Sequence, residues 1–149
     1  MALYQQALAA RPDFWRANVN LAYLFYAHGN YQEASHYFQR ACATDPTDGD
    51  QFLYLGMSLL RLGQMGEAEA AIRTALLVRP NGEKYHLGLG MVLMQEGKLE
   101  ETRQEFDTEL AEDPHNAQAQ ALKGQVTRQI VNSPGALTSG QSTANPVQH

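Results

Sequence analysis

The chain has 149 residues, a formal net charge of −5 and a single cysteine, Cys42. The acidic balance argues against non-specific nucleic-acid binding, which needs a basic face, and one cysteine cannot form an intramolecular disulfide. The first residues lack the regions of a signal peptide. No apolar stretch approaches the ~20 residues that span a membrane. The composition therefore predicts a soluble, folded, cytoplasmic chain that binds neither nucleic acid nor membrane.

Two residue types recur with a single period along the chain. The prolines stand 34 positions apart and the glycines fall midway between them: Pro12, Pro46, Pro80 and Pro114, with Gly29, Gly63 and Gly97. A glycine closes a helix in a left-handed conformation at low cost, and a proline prevents a helix from continuing. This spacing predicts a repeated unit of helix, glycine turn, helix and proline.

The first predicted element, residues 1–12, is the second helix of an incomplete repeat. Tyr4, Ala7 and Pro12 stand one period before an aromatic residue, an alanine and a proline of the next unit. Leu3, Tyr4 and Leu8 would then lack part of their partner surface, and an exposed apolar end favours self-association. Two interpretations stay open, because this helix could instead dock on the first full unit.

Three full repeats follow, over residues 13–46, 47–80 and 81–114. In the first, apolar residues recur three and four positions apart, which is a helical period: Phe14, Ala17, Leu21, Leu24 and Phe25, then Tyr31, Ala34, Phe38 and Ala41. Polar residues after the prolines are predicted to cap the next helices: Asp13, Thr47 or Asp48, and Asn81. Residues 115–131 read as a polar capping helix, and residues 132–149 as a flexible tail.

The repeats resemble the tetratricopeptide repeat (TPR), over about residues 1–131. The positions that carry the resemblance are Leu21, Ala22, Phe25, Gly29, Tyr31, Ala34, Phe38, Ala41 and Pro46; Phe52, Leu55, Gly56, Leu59, Gly63, Met65, Ala68, Ile72, Ala75 and Pro80; and Leu89, Gly90, Leu93, Gly97, Leu99, Phe106 and Pro114. The third repeat departs from the pattern at His86, Thr102 and Glu109, so looser packing is expected there. The resemblance implies an all-α, right-handed α-solenoid of antiparallel helix pairs.

In the resembled family the first helix of each pair lines a concave binding surface. Mapped by period, the groove-facing residues are Arg16, Val19, Asn20, Tyr23, Tyr26, Asp50, Leu53, Tyr54, Met57, Leu60, Arg61, Lys84, Leu87, Met91, Met94, Gln95, Gln125 and Arg128. Their floor is apolar and their edges are mainly basic, which suits a peptide with apolar anchors and an acidic group. Two other interpretations stay open. The tail, the capping helix or a neighbouring array could fill this surface, or a register shift could bury some of these residues.

Some TPR domains clamp the C-terminal carboxylate of heat-shock chaperones. The residue pattern of that clamp is absent here. Of the corresponding positions, Val19, Tyr23, Tyr54, Lys84 and Gly88, only Lys84 matches. The row of repeated asparagines found in some other TPR superhelices is also absent. The positions one and two periods after Asn20 hold Tyr54 and Gly88. A match at Lys84 alone does not imply binding of a chaperone carboxylate.

A run of acidic residues between Glu96 and Asp113 reads as a solvated outer helix face, or else as a docking patch for a basic partner. The histidines fall on different surfaces, and no nucleophile elbow or phosphate loop is present. The sequence thus predicts no catalysis, metal or cofactor. It predicts a protein-binding scaffold that acts as an adaptor, assembly factor or chaperone-like module. The alternative is a structural spacer or self-associating segment of a larger multi-repeat protein.

Overall fold

The computed structural model describes residues 1–11 and 14–135, and these form eight α-helices with no strand. The helices are α1 (Ala2–Ala10), α2 (Trp15–Ala27), α3 (Tyr31–Thr44), α4 (Gly49–Arg61), α5 (Met65–Val78), α6 (Tyr85–Gln95), α7 (Leu99–Glu112) and α8 (Ala117–Val131). Each helix packs against its neighbours in the chain, and α4 also contacts α6. The period predicted these helix pairs, and the architecture is the all-α solenoid that the resemblance implied.

The turns inside the pairs use their glycines as predicted. Gly29, Gly63 and Gly97 have φ values of 75°, 78° and 76°, a region that other residues rarely adopt. After the first of them, the backbone N–H of Asn30 donates to the carbonyl oxygen of Phe25 at 2.8 Å. Repeated use of this turn makes α3, α5 and α7 begin at the same point of each unit.

Small residues allow the paired helices to approach closely. A Cβ atom at Gly56 would overlap the side chain of Ile72, and one at Gly90 would overlap the ring of Phe106. Both partners are fully buried. The interdigitation of these side chains with glycine backbone explains why the sequence places glycine on helices, where it is otherwise unfavourable.

The predicted caps are correct in one repeat and wrong in another. The side chain of Asp48 accepts a hydrogen bond from the backbone N–H of Asp50 at 3.0 Å and caps α4. Asn81 does not cap α6, because that helix begins only at Tyr85, after Lys84. Asp13 and Pro12 lie outside the described residues, as does most of the predicted tail.

Two of the residues that depart from the repeat pattern in the third repeat are buried, and the looser packing expected of this repeat stays a prediction. Thr102 and Glu109 are 0% and 2% exposed. The Thr102 hydroxyl donates to the carbonyl oxygen of Lys98 at 2.8 Å, so its burial leaves no unmade hydrogen bond. Across the described part of the chain, no helix has the length and apolar character needed to cross a bilayer.

Candidate functional site

A surface cavity of about 540 Å³ lies between α4 and α6, with contributions from α2, α5 and α8. We call it the groove. The residues that line it are Tyr26, Leu53, Tyr54, Met57, Leu60, Arg61, Met65, Lys84, Leu87, Gly88, Met91, Gln95 and Gln118. Its volume lies in the range of sites that hold a few side chains of a ligand.

The groove floor is apolar and partly accessible. Tyr54, Met57 and Met91 are half-buried, so each retains surface that a ligand could cover. Leu53 and Leu87 are only 8% and 5% exposed and belong to the core. These two leucines were predicted for the groove floor, but they contribute mainly to the packing of the core.

Several predicted positions lie away from the groove. Tyr23 packs edge-on against Phe38 and Tyr54, with ring centroids 5.1 Å and 5.0 Å away. Burial raises the pKa of its hydroxyl to about 12, and the nearby carboxylates of Asp48 and Asp50 add to this shift. Asp50 lines an adjoining cavity of about 490 Å³, which it shares with Leu53, Tyr54 and Lys84. The remaining positions line neither cavity: Arg16, Val19, Asn20, Met94, Gln125 and Arg128.

Sequence reasoning missed three lining residues. Met65 opens the second helix of its pair, Gly88 lies one period after Tyr54, and Gln118 begins the capping helix. The Gln118 amide contacts the Met91 sulfur at 3.8 Å. Gly88 could have been predicted from the period alone, because Tyr54, one period earlier, was predicted to line the groove. Met65 lies on a second helix, which was not expected to reach the groove, and Gln118 lies on the capping helix, of which only Gln125 and Arg128 were predicted to line it.

A polar cluster beside the groove was also missed. The hydroxyl of Tyr85, which is fully buried, donates to the Asp50 carboxylate at 2.7 Å, and Arg79 donates to the same hydroxyl at 2.8 Å. Burial and the nearby carboxylate raise the pKa of Tyr85. Arg79 also forms an ion pair with Asp50. The negative charge of Asp50 is therefore compensated within the chain.

Two cations remain at the rim of the groove. The Arg61 guanidinium lies 5.4 Å from the centre of the Tyr31 ring. The Lys84 amine is 61% exposed and lies 3.7 Å from a Glu83 oxygen, a surface pair that contributes little. Lys84 has φ 64°, and among the described residues other than glycine it alone has a positive value. Such strain is often associated with a functional position.

Part of the acidic outer helix forms ion pairs within the chain. Glu105 contacts His86 at 2.7 Å, Asp107 contacts Lys123 at 2.5 Å, and Glu100 contacts Arg103 at 2.8 Å. The neighbouring α5 carries Glu69, whose pKa falls to about 2 because Lys98 and Arg73 donate hydrogen bonds to it. These pairs cover only part of the acidic run, because Glu112 and Asp113 have no ion pair with a described residue.

At the N-terminal end, the three residues proposed for self-association differ in how exposed their side chains are. Leu8 is 8% exposed and packs with Ala17 and Leu21, so it is unavailable to another chain. Tyr4 is half-buried against the same cluster, whereas Leu3 is 79% exposed. The short helix α1 therefore docks on α2 and leaves Leu3 on the surface.

Comparison with known proteins identifies the family. The model of the Cilia and flagella-associated protein 70 middle TPR-like domain matches residues 4–140. The chain belongs to this family of TPR-like domains. No curated protein sequence matches it.

The TPR-like chain also resembles many solved structures. MamA aligns with a TM-score of 0.82 at 16% identity, over 91% of this chain and 79% of MamA. YrrB, described as a TPR protein with an unusual peptide-binding site, aligns with a TM-score of 0.78 at 27% identity, over 92% and 71%. The second TPR domain of human RPAP3, in complex with the HSP70 peptide SGPTIEEVD, aligns with a TM-score of 0.70 at 24% identity, over 76% and 98%.

Proposed function

We propose that the chain is a non-catalytic protein-interaction scaffold that binds a peptide or helical segment in its groove. The observation that carries this proposal is the accessible apolar floor formed by Tyr54, Met57 and Met91 on a fold whose relatives YrrB and RPAP3 bind peptides. Methionine adapts its shape to different partners, and tyrosine combines an apolar ring with a polar tip. Such a surface suits an adaptor, an assembly factor or a chaperone-like module. The cytoplasmic location stays a prediction.

The charge of the rim supports an acidic group on the partner. Arg61 has no carboxylate in contact among the described residues, and Lys84 has only its exposed neighbour Glu83. A peptide carboxylate would gain hydrogen bonds from either cation. The proposed ligand is therefore a segment with apolar anchors and at least one acidic residue.

The test is a selection of 16-residue peptides from a random displayed library, followed by titration of the enriched peptides by fluorescence anisotropy. Replacing Tyr54 or Met57 with alanine should weaken binding about ten-fold or more, because each removes buried apolar contact. Leu77→Ala is the matched control, since Leu77 is 83% exposed on α5 and does not line the groove. Equal affinity in all variants, or no enrichment at all, would contradict groove binding.

A second function, self-association as a spacer, is favoured by one observation. Leu3 is 79% exposed beside Met1, which is 53% exposed. Changing Leu3 to aspartate should reduce the mass measured by light scattering if copies meet at this end. A monomeric wild-type chain would remove the support for this alternative.

A further inference from the structure

We infer that the occupant of the groove is an amphipathic α-helix of about three turns with an acidic residue near each end. This inference rests on the proposed function and goes beyond it by naming the conformation and charge pattern of the partner. An extended peptide and a helix make different demands on a binding surface, because their backbone groups are satisfied differently.

The groove wall offers little to an extended backbone. Its sides are the helices α4 and α6, whose own backbone groups are hydrogen-bonded within each helix, so they present no free strand edge. The neutral polar groups on the lining side chains are the hydroxyls of Tyr26 and Tyr54 and the amides of Gln95 and Gln118. An extended segment that crossed the floor would find few protein hydrogen-bond partners for its backbone and would depend on water for the rest. A helix satisfies its own backbone and needs only an apolar face.

The floor suits the stripe of such a helix. Met57, Met65 and Met91 line the same cavity as Tyr54, and flexible thioethers can mould around side chains spaced at i, i+3, i+4 and i+7. The cavity of about 540 Å³ has room for a few such anchors. A helix lying beside α4 would bury them as a neighbouring repeat buries its own stripe.

The rim cations lie at opposite ends of α4. Lys84 shares a cavity with Asp50, at the start of this helix, and Arg61 is its last residue. The helix rises about 16 Å from Asp50 to Arg61 at 1.5 Å per residue. A partner helix of about eleven residues spans the same length, so acidic residues near its two ends would reach the two cations. Their contribution is charge complementarity at an exposed rim.

The experiment uses the full chain and the enriched peptides from the displayed library. The expected peptides carry apolar residues with helical spacing and acidic residues about eleven positions apart, and they gain helical circular dichroism on binding. A proline placed at the centre of the best peptide should weaken binding at least ten-fold, whereas alanine at the same solvent-facing position should not. Arg61→Ala and Lys84→Ala should each weaken binding about two- to five-fold, the range of exposed ion pairs, and only when the acidic residue facing that cation is present.

The outcomes separate this inference from the proposed function. Peptides that depend on Tyr54 but bind without helix formation, or tolerate the central proline, would overturn the helical occupant and leave groove binding intact. Helical peptides that bind equally well to the Arg61→Ala and Lys84→Ala chains would overturn the charge pattern. Peptides insensitive to Tyr54→Ala would overturn both.

Discussion

The carboxylate of Glu109 on α7 accepts a hydrogen bond from the backbone N–H of Leu87 on α6, at 3.1 Å. Its other oxygen accepts from the side-chain amide of Asn116 at 2.9 Å. The first turn of α6 has no side-chain cap of its own, because Lys84 occupies the cap position. A buried glutamate that stands where TPR units usually have alanine therefore connects the starts of α6 and α8.

Replacing Glu109 with alanine should lower the free energy of unfolding by about 1–3 kcal/mol, because the buried N–H of Leu87 loses its acceptor. Urea denaturation measures the change. Glu112→Ala is the control on the same helix, since Glu112 is exposed, and should change stability by less than about 0.5 kcal/mol. A Glu109→Ala chain as stable as the wild type would show that the hydrogen bond is dispensable.

Replacing Gly90 with alanine should destabilise the fold by about 1–3 kcal/mol, because the new methyl group overlaps the buried Phe106 ring. Gly66→Ala is the matched control on α5, where an added Cβ meets no atom within 4 Å. That change should be neutral or stabilise by up to about 1 kcal/mol through helix propensity. Thermal unfolding of both variants gives the comparison, and two changes of the same sign would contradict the predicted overlap with Phe106.

Replacing Lys84 with glycine should raise the free energy of unfolding by about 1 kcal/mol, because glycine adopts the left-handed conformation without the Cβ clash. Lys84→Ala keeps the clash and should give no such gain. Both variants remove the same rim charge, so both should weaken an acidic peptide equally. Denaturant titration measures the effect of backbone strain on stability, and anisotropy measures the effect of charge on peptide affinity. A Lys84→Ala chain as much stabilised as the Lys84→Gly chain would contradict the explanation by backbone strain.

The stability of the fold should fall at alkaline pH. Burial raises the pKa of the Cys42 thiol from its ordinary value of 9.0 to about 12, and that of Tyr23 from 10.0 to about 12. The unfolded chain releases these protons at lower pH than the folded chain does. The contribution is therefore complete below about pH 9 and is lost as the pH rises toward about 12.

Urea denaturation at several pH values between 8 and 11 measures this slope. Cys42→Ala removes the group with the lower ordinary pKa, so the slope between about pH 9 and 10 should become shallower. The absolute stability of the variant is a separate effect of the lost side-chain volume. An unchanged slope would show that the thiol does not contribute to the linkage.

Part of the groove follows from the repeat period. Tyr54, Met57 and Met91 lie on first helices, and a period of 34 assigns them to one face. Val19 and Arg128, chosen by the same arithmetic, do not line it. The period fixes the direction of a side chain relative to its own helix, but the width and extent of a cavity depend on how neighbouring helices are spaced.

The sequence by itself determined the helix pairs, because the proline and glycine ladders and the three-and-four spacing are local properties of the chain. It also determined where helices approach closely, since Gly56 and Gly90 stand opposite large apolar residues in each unit. Only the tertiary structure decided that α6 begins at Tyr85, whose ring fills the space beside Gly49 and Gly82.

The tertiary structure also decided the pairing of charges. Asp50 meets Arg79 and Tyr85, which lie 29 and 35 residues later in the sequence, and Glu109 on α7 meets Leu87 on α6. A pattern of residue types does not specify which carboxylate faces which donor, because that depends on distances of a few ångströms between helices. Those distances are set by the packing of the whole solenoid.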